Sequence, residues 1–487
     1  MSEMAASDIK HRLYAPLIEA LGPSGMILDP QKIAPMTKSW RDNWISEPAL
    51  VVQPASTAEV QAVIRICLEA DVPVVPQGGN TGVTGAGLTR AGGKEVLLSL
   101  RRLNKIRAID LDDNMMVVES GCILQAVKEA AEKMGRLFPM SLGAAGSCTI
   151  GGNISTNAGG LNALRYGSMR DLVAGLEVVM ADGRVWNGLK LLRKDNAGYD
   201  LKQLFIGAEG TLGIITAAVL KLSTLPTRSA AAIVAVESPR HALAWLRRLL
   251  ARFGNALSAC ELIERTCIEI ARLHYPETID PFNERHPWYV LVEVSELNRN
   301  IEIEIAISEV FGEAAKVSEV LDGVIATSKS QSEALWRLRE AIPEAQRREG
   351  ISFKHDISVP VSRVPEFIDK AQKSLVIRFP GIRSFAFGHL GDGNIHFNPI
   401  QARGEPVEIW HPRLAEVNRI IHDIAVELGG SITAEHGIGQ LRRAELVHYK
   451  SKIDLDLMQS VKNALDPQGI LNPGKIFLNN EEAWGCS

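Results

Sequence analysis

Apolar positions follow two rhythms along this chain, and the rhythm changes with position. Near the N-terminus, 13–21 carries apolar residues at helical spacing and stops at Gly22, which predicts a short amphipathic helix. Ala49 to Pro54 reads as a strand. Ser56, with Glu59 three residues on, has the form of a capping box and opens a helix to about Ala70. Val72 to Pro76 is the next strand. Leu176 to Val185 fits a β-hairpin turning at Asp182-Gly183. From Ala230 to about Glu427, strand-like runs (231–236, 288–294) alternate with helical ones (241–253, 301–311). That pattern predicts an antiparallel sheet with helices packed on one face. The charged stretch 337–349 reads as the solvated face of a helix. Ile453 to Leu465 returns to the helical period, and 479–487 reads as a tail.

Between these elements lie three loops of small residues. The first, Gln77 to Gly87, follows the β-α-β start directly. The second spans 143–160 and the third 207–216, where it is expected to close a strand-turn-strand pattern. Glycine-rich backbone can turn tightly and bring N–H groups close to an anion. No GxGxxG register fits the first loop, and no Lys-Ser/Thr follows it as a P-loop requires. Three such loops in one region point to a large ligand lying along exposed backbone. Glycine density falls after Pro226, which suggests domains at 1–226 and 227–427, with a C-terminal segment, 428–487, returning to the first.

Composition narrows the class. At 487 residues, 46% apolar and 23% charged, the chain has room for two or three soluble domains. A net charge of −4 and the lack of a basic tract give no support to a nucleic-acid partner, and none is expected. No run of about 18 apolar residues occurs, so no spanning helix is expected. The N-terminal residues lack a signal-peptide core. Cys67, Cys122, Cys148, Cys260, Cys267 and Cys486 form no CxxC pair, which suits reduced thiols in a cytoplasmic protein. A homodimer is compatible with all of this.

The candidate chemistry sits at 388–398, Gly-His-Leu-Gly-Asp-Gly-Asn-Ile-His-Phe-Asn. His389 and His396 are seven apart and would lie on opposite faces of one straight strand. A turn at Gly391-Asp392-Gly393 folds the segment so that both imidazoles can share a face across two strands. Glu435 can add a carboxylate, giving a two-His, one-carboxylate set with positions open for substrate. Zinc suits these ligands; manganese, cobalt and iron share them. The residues alone also allow a pair of satisfied strand histidines, and they leave His436 as either a proton-transfer group or a solvent-facing neighbour.

The segments Pro76-Gln-Gly-Gly-Asn-Thr-Gly82, Cys148-Thr-Ile-Gly-Gly-Asn-Ile-Ser-Thr-Asn-Ala-Gly-Gly160 and Gly207-Ala-Glu-Gly-Thr-Leu-Gly-Ile214 resemble the FAD-binding domain of the vanillyl-alcohol-oxidase/p-cresol-methylhydroxylase superfamily. Within it they are similar to the FAD-dependent D-2-hydroxyacid dehydrogenases, and the likeness runs from about residue 40 to Phe477. The resemblance implies an α+β fold: a two-subdomain FAD-binding domain plus an antiparallel-sheet cap, or substrate, domain. It implies that Pro76, Gln77, Gly78, Gly79, Asn80, Thr81 and Gly82 hold the FAD pyrophosphate. Gly143, Ser147, Thr149, Gly152, Asn153, Ser155, Thr156, Asn157, Gly159 and Gly160 would hold the rest, with Glu209, Gly210, Gly213 and Ile215. The Asn472-Pro473-Gly474-Lys475 turn would lie beside the cofactor. Many relatives carry a flavin-linked histidine in the first loop. Asn80 occupies that neighbourhood here, so non-covalent FAD is expected, and Cys148 is better read as a small buried cysteine than as an attachment point.

The same resemblance implies the reaction. A D-2-hydroxy acid would lose its hydroxyl proton to His436 and a hydride from C2 to flavin N5. A divalent metal, zinc by preference, would sit on His389, His396 and Glu435. Asn398 would orient substrate or a ligand. Arg339 and Lys354 match residues that grip the far carboxylate of D-2-hydroxyglutarate. The hydroxyglutarate enzymes place a threonine four residues after that arginine, where this chain has Pro343; the D-lactate enzymes generally lack the lysine. The substrate class is therefore D-2-hydroxyglutarate, D-lactate or D-malate, with a second carboxylate or polar tail favoured. Electrons would pass to a flavoprotein or quinone. Two alternatives remain at this stage: a same-fold transferase of the alkyl-dihydroxyacetone-phosphate synthase type, and a non-catalytic flavin-binding protein.

Overall fold

A computed structural model describes residues 6–39, 44, 46–298 and 300–478. The expected tail at 479–487 lies outside them. The chain divides into two compact units. The first comprises 1–159, 167–224 and 435–487; the second comprises 160–166 and 225–434.

In the first unit, a four-stranded sheet is built on a β-α-β start. Leu50–Val52 and Val74–Gln77 both pair in parallel with Val96–Ser99. The helix between them, Thr57–Glu69, begins as the sequence suggests, with the Ser56 side chain accepting from the Glu59 N–H. Glu59 reaches back one residue further than a standard capping box, to the N–H of Ala55 at 2.7 Å. The N-terminal helix is longer than expected, Ala6–Leu21, and ends at Gly22, where φ is +66°. A five-stranded antiparallel sheet follows, containing the Asp182-Gly183 hairpin between Val173–Val179 and Val185–Gly188. The 207–213 loop departs from expectation: a short helix, Lys202–Phe205, precedes it, and only Ile214–Lys221 beyond it is a strand. The run before the loop is too short and too interrupted by polar residues to pair in the sheet.

The second unit is built on a seven-stranded antiparallel sheet. Its helices lie on both faces, where one face was expected. Ala230, Ala232 and Val234 pack with Trp245, Ile307 and Phe367 on one side. Ala231, Ile233 and Ala235 pack with Ile268, Leu338 and Ile342 on the other. The reason is in the strand itself: 230–236 is apolar without interruption, the signature of a strand buried on both faces. The helix expected at 337–349 as a solvated face is Lys329–Arg347, and it buries Leu338, Arg339, Ile342 and Gln346. Pro343 lies within that helix.

Candidate active site

Loops of the first unit line a cleft open to solvent. Pro76 to Gly82 lines it, with Thr149, Gly152, Asn153, Ser155, Thr156, Glu209, Gly210, Gly213 and Ile215. Two loops meet here almost backbone to backbone. A Cβ on Gly79 would fall 2.1 Å from the Ser147 carbonyl oxygen, and one on Gly78 would fall 2.2 Å from Thr149 Oγ1. Only glycine permits that approach. The backbone N–H groups of Gly78 through Gly82 make no hydrogen bond among the described residues. Asn80 holds this turn with φ +57°, its side-chain amide donating to the Pro35 and Lys38 carbonyls. Gln77 Oε1 and Asn472 Oδ1 are buried without a partner. A run of unspent donors beside orphaned amide oxygens fits a phosphate-bearing, hydrogen-bonding ligand of the FAD kind.

The remaining expected cofactor residues lie outside the cavity lining. Gly143 is exposed. Ser147 bonds to the Ala144 carbonyl. The Asn157 side chain accepts from Ser168 Oγ and the Arg170 N–H. A Cβ on Gly159 would meet Glu435 Oε1 at 2.8 Å. Gly160 belongs to the second unit. Cys148 is 2% exposed, and burial raises its thiol pKa.

Glu209 does more than line the cavity. Its backbone has φ +51°, and its carboxylate accepts from the N–H groups of Ile438 and Gly439, each at 2.7 Å. Asn472 Nδ2 donates to the Glu209 carbonyl at 2.6 Å and to the Ala86 carbonyl at 3.0 Å. Thr84 Oγ1 donates to the His436 carbonyl, and the Thr84 carbonyl accepts from Gln440 and Leu441. The segment carrying His436 is thus tied to Glu209 in the cavity lining and to Thr84, between the lining residues Gly82 and Gly85. Burial pushes the Glu209 carboxyl up to about 7, opposed by those two backbone donors and by Lys475.

In the second unit, Ala386–His389 and Asn394–Phe397 form the hairpin expected from the glycine turn. His389 lies opposite Asn394, and His396 lies opposite Phe387. The two histidines are therefore diagonal neighbours on one face, with ring centroids 5.8 Å apart. One donor atom from each of His389, His396 and Glu435 falls within 4.8 Å of the others, a spacing that fits a metal ion. Glu435 follows Ala434, whose N–H donates to the Asp356 carbonyl at 2.9 Å. Asp356 is fully buried, and its Oδ1 stands 3.7 Å from His396 Nδ1.

Sequence reasoning missed Glu261. It lies directly opposite His389 on the neighbouring strand and accepts from His389 Nδ1. Its second oxygen accepts from Arg339 Nε at 2.7 Å. Burial works against the Glu261 charge, but His389 and Arg339 prevail and hold its carboxyl down at about 2. The available signal was a carboxylate between apolar neighbours in the strand Leu257–Glu264, since buried charges are kept only where they are paired. Arg339 also lies over the Phe387 ring, at 4.7 Å from its centroid. Asn398 is buried, with its Oδ1 accepting from the His355 N–H and its Nδ2 donating to Gln346. Lys354 is half-buried, next to Phe353 and His355.

Comparison with known proteins matches residues 48–188 to the FAD binding domain family and 225–476 to the FAD linked oxidase C-terminal domain family. A probable mitochondrial D-2-hydroxyglutarate dehydrogenase of Oryza sativa subsp. japonica is 39% identical over 94% of this chain and 80% of its own length. The chain belongs to the FAD-dependent D-2-hydroxyacid dehydrogenases. The mitochondrial D-2-hydroxyglutarate dehydrogenase of Danio rerio is 37% identical over 95% of this chain and 84% of its own. A D-2-hydroxyglutarate dehydrogenase of Stutzerimonas stutzeri (strain A1501) is 34% identical over 93% of this chain and 96% of its own. Among solved structures, p-cresol methylhydroxylase with substrate bound aligns with a TM-score of 0.77 at 16% identity, covering 98% of both chains. Alkyldihydroxyacetonephosphate synthase aligns at 0.71 and 18%, covering 95% of this chain and 84% of that one. At those identities the likeness shows the fold alone, so it does not favour the transferase reading. The dehydrogenase is an oxidoreductase with one FAD binding domain and one FAD linked oxidase C-terminal domain. No helix among its described residues is long and apolar enough to cross a membrane.

Proposed function

We propose that this dehydrogenase oxidises D-2-hydroxyglutarate, or a D-2-hydroxy acid with a similar polar tail, to the 2-oxo acid. The names of its relatives support the substrate, and the convergence of His389, His396 and Glu435 supports a metal-assisted reaction. FAD supplies a two-electron acceptor for the hydride leaving C2. A divalent cation, zinc by our reading, supplies a Lewis acid that lowers the pKa of the substrate hydroxyl.

The chain's own groups do the rest. His436 receives the hydroxyl proton on an imidazole nitrogen, and the bonds to Glu209 and Thr84 restrict its loop while it does so. Arg339, whose Nε bonds to Glu261, meets the far carboxylate together with Lys354. Asn398 acts indirectly, by fixing the backbone of His355 beside Lys354. Electrons then leave to a flavoprotein or quinone. Cytoplasmic location remains our reading, supported by five described cysteines that are all buried and free.

Anaerobic titration with D-2-hydroxyglutarate, D-malate and D-lactate, before and after EDTA, tests the proposal. Flavin bleaching is expected with the dicarboxylates first, lost on chelation and restored by zinc. Bleaching unchanged by EDTA in a protein free of metal by elemental analysis refutes the metal's role. No bleaching by any 2-hydroxy acid refutes the reaction.

A further inference from the structure

We infer that Glu261 is the positioning residue of the cation site: it holds His389 Nδ1 as a donor so that Nε2 faces the metal, and Arg339 holds Glu261. The inference rests on the metal reading above and goes beyond it to a residue that contacts neither metal nor substrate.

The geometry is specific. Glu261 and His389 are directly paired residues of adjacent antiparallel strands, so their side chains leave the sheet on the same face. The carboxylate has two occupants, His389 on one oxygen and Arg339 on the other. Its side chain is 1% exposed, so no water competes for the histidine. An imidazole that gives its Nδ1 proton to a fixed carboxylate has one tautomer and one ring orientation, and its Nε2 carries the lone pair. The carboxylate also makes the ring a stronger donor to a cation. Arg339 sets the remaining geometry twice over. It grips Glu261, and its guanidinium lies on Phe387, whose ring centroid is 5.0 Å from that of His396. Both candidate histidine ligands are thus braced by one arginine. The competing explanation is a buried ion pair that merely fastens the helix Lys329–Arg347 to the sheet.

Calorimetric titration of EDTA-treated holoflavoprotein with zinc separates the two. Glu261→Gln should weaken zinc binding about 10–100-fold with an unchanged flavin spectrum. The double variant E261Q/R339M removes both charges together, keeps the buried site neutral, and should bind zinc as weakly. Zinc affinity within twofold of wild type in either variant, with binding lost in H389A, overturns the positioning role while the metal reading stands. Zinc affinity retained in H389A and H396A overturns the metal reading itself. If neither Glu261 variant folds, nitrogen-15 histidine spectra of the wild-type protein decide the matter. The His389 signal, identified by its loss in H389A, should show the proton on Nδ1; a proton on Nε2 in the metal-free protein refutes the inference.

Discussion

Replacing Glu209 by Gln should change how stability depends on pH, in a direction the structure fixes. The carboxyl titrates at about 7 in the folded protein against an ordinary 4.5, because burial penalises its charge. The sign follows from proton counts. Between 4.5 and 7 the unfolded chain has released this proton and the folded one has kept it. Wild-type stability therefore falls as pH rises through that window, and above 7 the loss is complete. The interval is worth about 3 kcal/mol at 1.36 kcal/mol for each pH unit, and the side chain is too buried for solvent to reduce it much. Glutamine has no such proton. It also offers one acceptor where Ile438 and Gly439 need two, which costs about 1–3 kcal/mol at any pH. E209Q should then be the less stable protein at pH 5 and reach parity or better at pH 8. Urea denaturation of both holoenzymes by tryptophan fluorescence from pH 5 to 8 measures the difference. Glu264, also pushed up to about 7 by burial, contributes equally to both proteins and cancels. A stability difference flat to within about 0.5 kcal/mol across the window would refute the reasoning, since the whole linkage would be missing.

Three further outcomes follow from the same structure. Arg339→Met strands the Glu261 charge and should cost about 3–5 kcal/mol, much of it recovered in E261Q/R339M; a denaturation double-mutant cycle reads the coupling. Gly79→Ala drives a methyl into the Ser147 carbonyl and Cys148 Cα, so the purified protein should carry far less FAD by absorbance at unchanged secondary structure by circular dichroism. His436→Ala should abolish bleaching of the flavin by D-2-hydroxy acids while zinc content, measured by elemental analysis, stays near wild type.

The sequence made some of this legible and concealed the rest for physical reasons. The histidine hairpin was readable because a Gly-Asp-Gly turn and period-two alternation are local properties, and the structure places the two rings where that alternation puts them. The glycine loops were readable for the same reason, since residues without side chains at high density signal backbone approach. The two-faced burial of the second unit's sheet was missed, although the unbroken apolar run 230–236 carried the information. Glu261 was beyond local reasoning. Its partners, Arg339 and His389, are 78 and 128 residues away; strand register places His389 opposite it, and packing of the helix Lys329–Arg347 brings Arg339. The charged stretch 337–349 does present Arg337, Glu340, Arg347 and Arg348 to solvent, as helical charge usually does; Arg339 is the exception, buried because it has a buried carboxylate to meet.

The segment leading into the C-terminal part of the chain is anchored at two separate places. Ser431 exchanges backbone hydrogen bonds with Ser358, and Ala434 donates to Asp356, so the chain up to residue 434 is fixed within the second unit. From Ile438 onward it is fixed within the first, by Glu209 and Thr84. Glu435, His436 and Gly437 are the residues between these two anchorages, and they include the candidate carboxylate ligand and the candidate base. Gly437 has φ +74°, and a Cβ there would fall 2.7 Å from Glu209 Oε1. A side chain at that position would displace the carboxylate that orders the next two residues. A short peptide held at both ends loses little further conformational entropy when substrate arrives. The candidate ligand and the candidate base therefore stand on irregular backbone, anchored before them by Asp356, which accepts from the Ala434 N–H, and after them by the Glu209 carboxylate, rather than by membership of a helix or strand.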